Sequence, residues 1–166
     1  MAAEPKVSAG ASAEALTALI AAGRSAAHLF ALALEPVGLT PRQFAALRPL
    51  RGGCVTQQAL GDSLEVDPAQ LVGILNALEA EGLAVRRRDQ SDRRRHIVEI
   101  SAEGCARLRA ADAALLALEE RLLADLGPHE RAELAAVLQS VVARIGSAEP
   151  CDDSEETGEA CDGPGT

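Results

Sequence analysis

Six arginines occupy the ten positions from Arg86 to Arg95 of a 166-residue chain whose formal net charge is -9. Lys6 is the single lysine, so arginine carries nearly all of the positive charge. A guanidinium is a planar fork of donors that grips phosphate oxygens in pairs, and it enters a narrow minor groove better than an ammonium does. Arginine gathered in one short stretch of an acidic chain is suited to a polyanion. The plain alternative is a solvated charged turn, the usual fate of a charge run.

The elements around that stretch decide between the two. Leu83 to Arg88 and His96 to Ile100 read as strands that flank it, which makes it the tip of a hairpin. Asp67-Pro68 is a cap-plus-proline start for a helix running to Glu81, with Gly82 as its stop. Thr56 caps a shorter helix that ends near Leu64. From residue 54 the order is therefore helix, turn, helix, strand, basic loop, strand. That order is a winged helix-turn-helix, whose second helix enters the major groove while the hairpin reaches alongside.

Helices complete the chain on both sides. The first runs from about Ser12 to Glu35 with Leu16, Ile20, Ala27, Phe30 and Leu34 on one face, and Pro36 and Gly38 end it. Thr40-Pro41-Arg42-Gln43 is a capping box that opens the next helix, which stops near Arg51-Gly52-Gly53. Ser101 caps a long helix from Ala102 to Asp125. Its Leu108, Ala111, Leu115, Leu118 and Leu122 follow a coiled-coil spacing. Gly127-Pro128 separates it from a last helix, about His129 to Ile145, with Leu134, Leu138, Val141 and Ile145 as its seam. The first and the last two helices are expected to pair with a second copy of the chain, although part of each seam must pack within the monomer. The fold class expected is mainly α with a small β-hairpin wing. Its divisions are an N-terminal dimerisation helix (12–38), a DNA-binding lobe (39–101), C-terminal dimerisation helices (102–146) and an acidic tail (147–166).

Composition narrows the function classes. Phe30 and Phe44 are the only aromatics, which argues against the stacking platforms of single-strand binders. The tail holds seven carboxylates and no basic residue, and removing them from the total of -9 leaves -2. Such a segment cannot bury enough apolar surface to offset its entropy, so it is expected to be disordered. It serves either to solubilise the chain or to compete with DNA for the wing. Cys54, Cys105, Cys151 and Cys161 are scattered, with no CxxC pair. Metal-ligand spacings are absent from the sequence, and no cofactor is expected. Cys54 and Cys105 are expected to be buried and inert. Phosphate-binding glycine loops, nucleophile elbows, HExxH and His-carboxylate clusters are also missing, so an enzyme is not expected. The N-terminus lacks signal-peptide order, and no apolar run approaches the roughly 20 residues of a membrane span. A cytoplasmic location with no membrane partner follows.

Residues 12–146 resemble the multiple-antibiotic-resistance regulator (MarR) family of bacterial transcription factors. Leu39-Thr40-Pro41-Arg42-Gln43-Phe44 and Leu78-Glu79-Ala80-Glu81-Gly82-Leu83 carry the likeness. So do Arg86 with Asp89-Gln90-Ser91-Asp92-Arg93-Arg94, then Val98-Glu99-Ile100-Ser101 and Gly104. The family's Asp-x-Arg wing signature falls on Asp92 and Arg94. The resemblance implies an obligate homodimer on a pseudo-palindromic duplex operator, with repression relieved by a small ligand or by oxidation. The family's peroxide sensors carry a cysteine near the start of the first helix, and this chain has none there. A winged-helix module that binds protein instead of DNA is the rival class.

The residues take roles within that frame. Arg94 is the minor-groove probe, and Asp92 holds its guanidinium. Arg93 and Arg95 flank it and suit phosphates. Arg86, Arg87 and Arg88 alternate along the strand, so Arg86 and Arg88 either face DNA or, for Arg86, brace the wing. On the recognition helix Ala69, Gln70, Gly73 and Asn76 are exposed candidates. Gln70 and Asn76 can pair bidentately with adenine, Gln70 being the better placed. Gly73 stands where the family often has Arg, which leaves the operator sequence open. Thr56 and Gln57 are candidate phosphate contacts. The family binds small aromatic acids where its dimer helices meet the DNA-binding lobe. Arg24, His28, Phe44, Arg48 and Arg51 are the candidates here, with core packing or interlobe ion pairs as their alternative uses.

Overall fold

The computed structural model describes residues 9–88 and 95–147. The expected wing tip, with Asp92, Arg93 and Arg94, and the acidic tail beyond residue 147 lie outside the described residues. The chain divides into two compact units after Leu122.

The first unit opens with α1 (Ala9–Leu34) and a 3-10 turn at Glu35–Val37. Gly38, at φ 65, turns the chain into α2 (Pro41–Leu47). The capping box read from sequence is formed. Thr40 Oγ1 accepts from the Gln43 N–H at 3.2 Å, and Gln43 Oε1 accepts from the Thr40 N–H at 2.8 Å. A 3-10 turn at Pro49–Gly52 leads to β1 (Val55–Thr56), α3 (Gln57–Leu64) and α4 (Pro68–Ala80). The hairpin strands are β2 (Ala84–Arg88) and β3 (His96–Ile100), and α5 (Ala102–Leu122) closes the unit.

The sheet has three antiparallel strands in the order β1-β3-β2. The sequence reading had two strands. β1 is only two residues long, so no alternation could reveal it, and it exists because Val55 and Thr56 pair with Val98 and Ile97. The core is leucine-rich, as the shortage of aromatics required. Leu47, Leu60, Leu75, Leu78, Leu83 and Val98 are fully buried. Leu108 and Ala111 of α5 join them, so the first part of that helix's seam is spent inside the lobe. Its far end is open, with Leu116 and Leu122 exposed.

On α1 the last turns are committed, with Leu34 buried and Phe30 packed on the core, while Leu16 and Ile20 are more than half exposed. The segment Glu14–Val37 is long and apolar enough, by length and composition, to cross a membrane. This corrects the expectation that no stretch reaches that length. Small Ala, Gly, Ser and Thr residues interrupt the bulky ones without making the average polar.

The second unit carries α6 (Pro128–Ser147). Pro128 opens it, and Glu130 Oε2 accepts from the Gly127 N–H at 2.7 Å. Arg131 donates to the carbonyl oxygens of Leu126 and Leu123 at 3.1 and 2.9 Å, securing the approach to the helix. Val137, Leu138, Val142 and Ile145 are exposed along it.

Gly104 marks the tightest approach in the lobe. A Cβ there would overlap the Leu83 carbonyl oxygen and lie 2.8 Å from Ile100 Cγ1. Both neighbours sit in the sheet-to-helix junction and cannot withdraw. Gly104→Ala is expected to cost about 3 kcal/mol or more, read as a lowered urea midpoint. An unchanged midpoint would mean that α5 can shift off the turn.

Candidate nucleic-acid interface

Helix α4 starts where Asp67 Oδ1 accepts from the Gln70 N–H at 2.8 Å. Leu71, Leu75 and Leu78 turn inward at helical spacing. The opposite face therefore has to carry Ala69, Gln70, Val72 and Gly73, and all four are exposed. No atom outside the helix's own backbone lies within 4 Å of a Cβ built at Gly73, so this part of the helix is open to a bulky partner. Gln70 and Gly73 line a shallow recess with Arg42 of α2. Arg42 is not among the contact candidates legible in the sequence. Its signal was slight, since a residue inside a capping box is read first as local structure.

Asn76 has a different use from the one expected. Its Oδ1 accepts a hydrogen bond from Arg86 Nη2, which leaves less of its amide for an adenine edge. Arg86 also holds Glu79 through both carboxylate oxygens: its backbone N–H reaches Oε1 at 3.0 Å, and Nε and Nη2 reach Oε2 at 2.8 and 2.5 Å. Of the two roles open to Arg86, the geometry is that of a brace tying β2 to α4. Glu79 was the partner missed. The clue was an acid and a base seven residues apart, on either side of a left-handed glycine at Gly82 (φ 68). Arg87 pairs with Glu99 at 3.4 Å across the hairpin. Arg88 and Arg95 are exposed.

Thr56, Gln57 and Arg95 do come together. With His96 they border a cleft of about 400 Å³ between α3, α4 and β3, floored by Val66 and Leu71. Thr56 Oγ1 also caps α3, accepting from the Ala59 N–H at 3.2 Å. Its hydroxyl proton thus remains the group to offer a phosphate.

The ligand candidates are spread out. Phe44 is buried in an edge-to-face contact with Phe30, centroids 5.6 Å apart, and the Arg48 guanidinium carbon lies 5.8 Å from its ring centroid. It is core and has no free face for a ligand ring. Arg51 forms an ion pair with Asp112 of α5. Arg24 and His28 line a shallow groove along α1 that none of the other three borders. Cys54 is exposed and Cys105 partly so, which corrects the expectation that both are buried. The turn at Gly53 (φ 129) carries Cys54 out of the lobe just before β1.

A family model described as the MarR family matches residues 37–95, which hold the helix-turn-helix and the arginine run. The solved structure of the transcriptional repressor CouR bound to a 23-mer DNA duplex is 33% identical. The likeness covers 82% of this chain and 99% of that one, with a TM-score of 0.72. YwoH, an uncharacterized HTH-type transcriptional regulator of Bacillus subtilis, is 31% identical over 59% of this chain and 72% of its own length. The chain belongs to the MarR family of transcriptional regulators. A Thauera aromatica protein named for transcriptional regulation of the hcr operon is 29% identical, and the chain spans 62% of that relative's length. Within the winged helix-turn-helix fold, α4 is the second helix of the pair and β2–β3 the wing hairpin.

The hydrogen bond from Arg86 holds the Glu79 carboxyl below its ordinary value of 4.5, and partial burial opposes this without reversing it. The depressed value means that the pairing stabilises the folded chain above pH 4.5 and ceases to as pH falls through the folded value. Wild type should exceed Glu79→Gln in urea stability at pH 7, with the gap closing below pH 4.5. A gap independent of pH would show that packing, and not charge, holds the brace.

Proposed function

We propose that the chain is a homodimeric DNA-binding regulator, acting as a repressor that leaves a pseudo-palindromic operator when a small ligand binds. The observation that carries this reading is the open face of α4 set beside a wing rooted by Arg86. Gln70 is its base-reading side chain, by two hydrogen bonds to an adenine edge, and Val72 is offered to a thymine methyl. Arg95, Gln57 and the Thr56 hydroxyl take phosphates around the adjacent cleft, and Arg88 extends that surface along β2, with Arg93 a further phosphate contact on the sequence alone. Arg94, held by Asp92, is the minor-groove probe, a role that rests on the sequence.

Such a surface binds with a steep salt dependence, because each neutralised phosphate releases counterions. Fluorescence anisotropy on the duplex upstream of the chain's own gene, across a salt series, tests it. Tight site-preferring binding is expected. Arg94→Ala should weaken it at every salt concentration, and Gln70→Ala should cost about 1–3 kcal/mol and relax preference at one base position. Binding with no preference over competitor DNA would favour a protein-interaction module.

The exposed apolar residues of α1, α5 and α6 are the surfaces that a second copy covers. Arg24 and His28 lie beside Ile20 on one of them. They suit the carboxylate of an aromatic acid held as that surface is covered. Sedimentation should give a dimer for the wild type and a monomer for Ile20→Glu, since a buried unpaired carboxylate costs several kcal/mol. A monomeric wild type at micromolar concentration would remove this part of the reading.

A further inference from the structure

Gln43 is the one buried polar side chain among the described residues. Its Oε1 is used by the α2 cap, and its Nε2 donates to Glu81 Oε1 at 2.6 Å. Glu81 is the residue on which α4 ends. The other Glu81 oxygen accepts from Arg107 Nη1 of α5 at 3.3 Å. That nitrogen also donates to the Gly38 carbonyl oxygen at 3.3 Å, and Arg107 Nε donates to Glu103 at 3.1 Å. One guanidinium on α5 thus holds the end of the recognition helix, the turn before α2 and, through Glu81, the buried amide of α2. Gly38 leaves room for it, with Arg107 Nη1 3.2 Å from where a Cβ would stand.

Packing of Leu71, Leu75 and Leu78 holds α4 in the lobe but leaves its crossing angle a spread of about 15–20°. Hydrogen bonds require alignment and do fix it. We propose that Gln43, Glu81 and Arg107 are positioning residues that set the angle of the recognition helix against α5, and so the half-site spacing the protein accepts. The inference rests on the dimeric DNA-binding reading above. The same α5 leaves Leu116 and Leu122 exposed beyond the lobe, where a second copy packs, so it links the clamp to the partner. Leverage makes the clamp effective. Gln70 precedes Glu81 by about 16 Å of helix, and a tilt of about 5° at Glu81 moves it by about 1.4 Å. A shift of that size is enough to misplace a bidentate base contact.

The test begins with half-sites that the wild-type chain selects from random duplex DNA. The spacer between them is then shortened or lengthened by one base pair, about 3.4 Å along the helix. Wild type should lose about tenfold or more in affinity at either altered spacing. Arg107→Gln, at a partly exposed position, should fold and show a flattened profile, losing no more than about threefold across the series. Glu81→Ala should flatten the profile in the same way. A variant that keeps the wild-type profile, or weakens equally at every spacing, overturns the proposal. A wild-type chain that binds selected half-sites without regard to spacing overturns the dimeric reading first, and this inference falls with it.

Discussion

The lobe is organised around the close approach of α5 to the turn between α4 and β2. The Ser101 N–H donates to the Leu83 carbonyl oxygen at 2.9 Å, and the Ser101 hydroxyl donates to the Gly82 carbonyl oxygen at 2.6 Å. The same hydroxyl caps the new helix, accepting from the Gly104 N–H at 2.9 Å. These bonds form only because Gly104 has no side chain. Helix α4 ends and the hairpin begins at the atoms α5 grips, so both elements are referenced to one long helix. Burial supplies most of the stability, at roughly 2 kcal/mol for each fully buried leucine, while exposed ion pairs add less than about 1 kcal/mol. The polar contacts at this junction matter chiefly for geometry.

The arginine run is not a uniform positive patch. Glu79 and Glu99 engage Arg86 and Arg87, so part of the run's charge is spent on shaping the hairpin. Arg88 and Arg95, which also belong to it, are exposed. A wing built this way carries its own rigid root, and the guanidinium nearest the helix serves as structure. The chain's formal charge of -9 also works against loose association with DNA.

Much of the fold was legible because it is written in local rules. Thr40, Thr56 and Asp67 cap the helices they were expected to cap, and Gly38 and Gly82 stand at left-handed turns. These signals act within four residues, where a single sequence is informative. β1 was missed because two residues carry no periodicity. Exposure of Cys54 was missed because burial depends on where a loop is carried, which its own composition does not state. The pairings of Glu81, Asp112 and Arg107 gave no signal, since each has a partner at least 26 residues away.

The sequence by itself determined the helices, their caps, the hairpin strands and the arginine-rich stretch between them, because hydrophobic period and capping chemistry are local. Only the tertiary structure decided which arginines brace and which face outward, and that the two phenylalanines pack on each other in the core. It alone made Asn76 a partner of Arg86 and set Gln43, Glu81 and Arg107 in one chain of contacts. Those outcomes depend on distances between segments far apart in sequence. Such distances are fixed by how the leucine faces pack and by the one glycine that lets α5 approach.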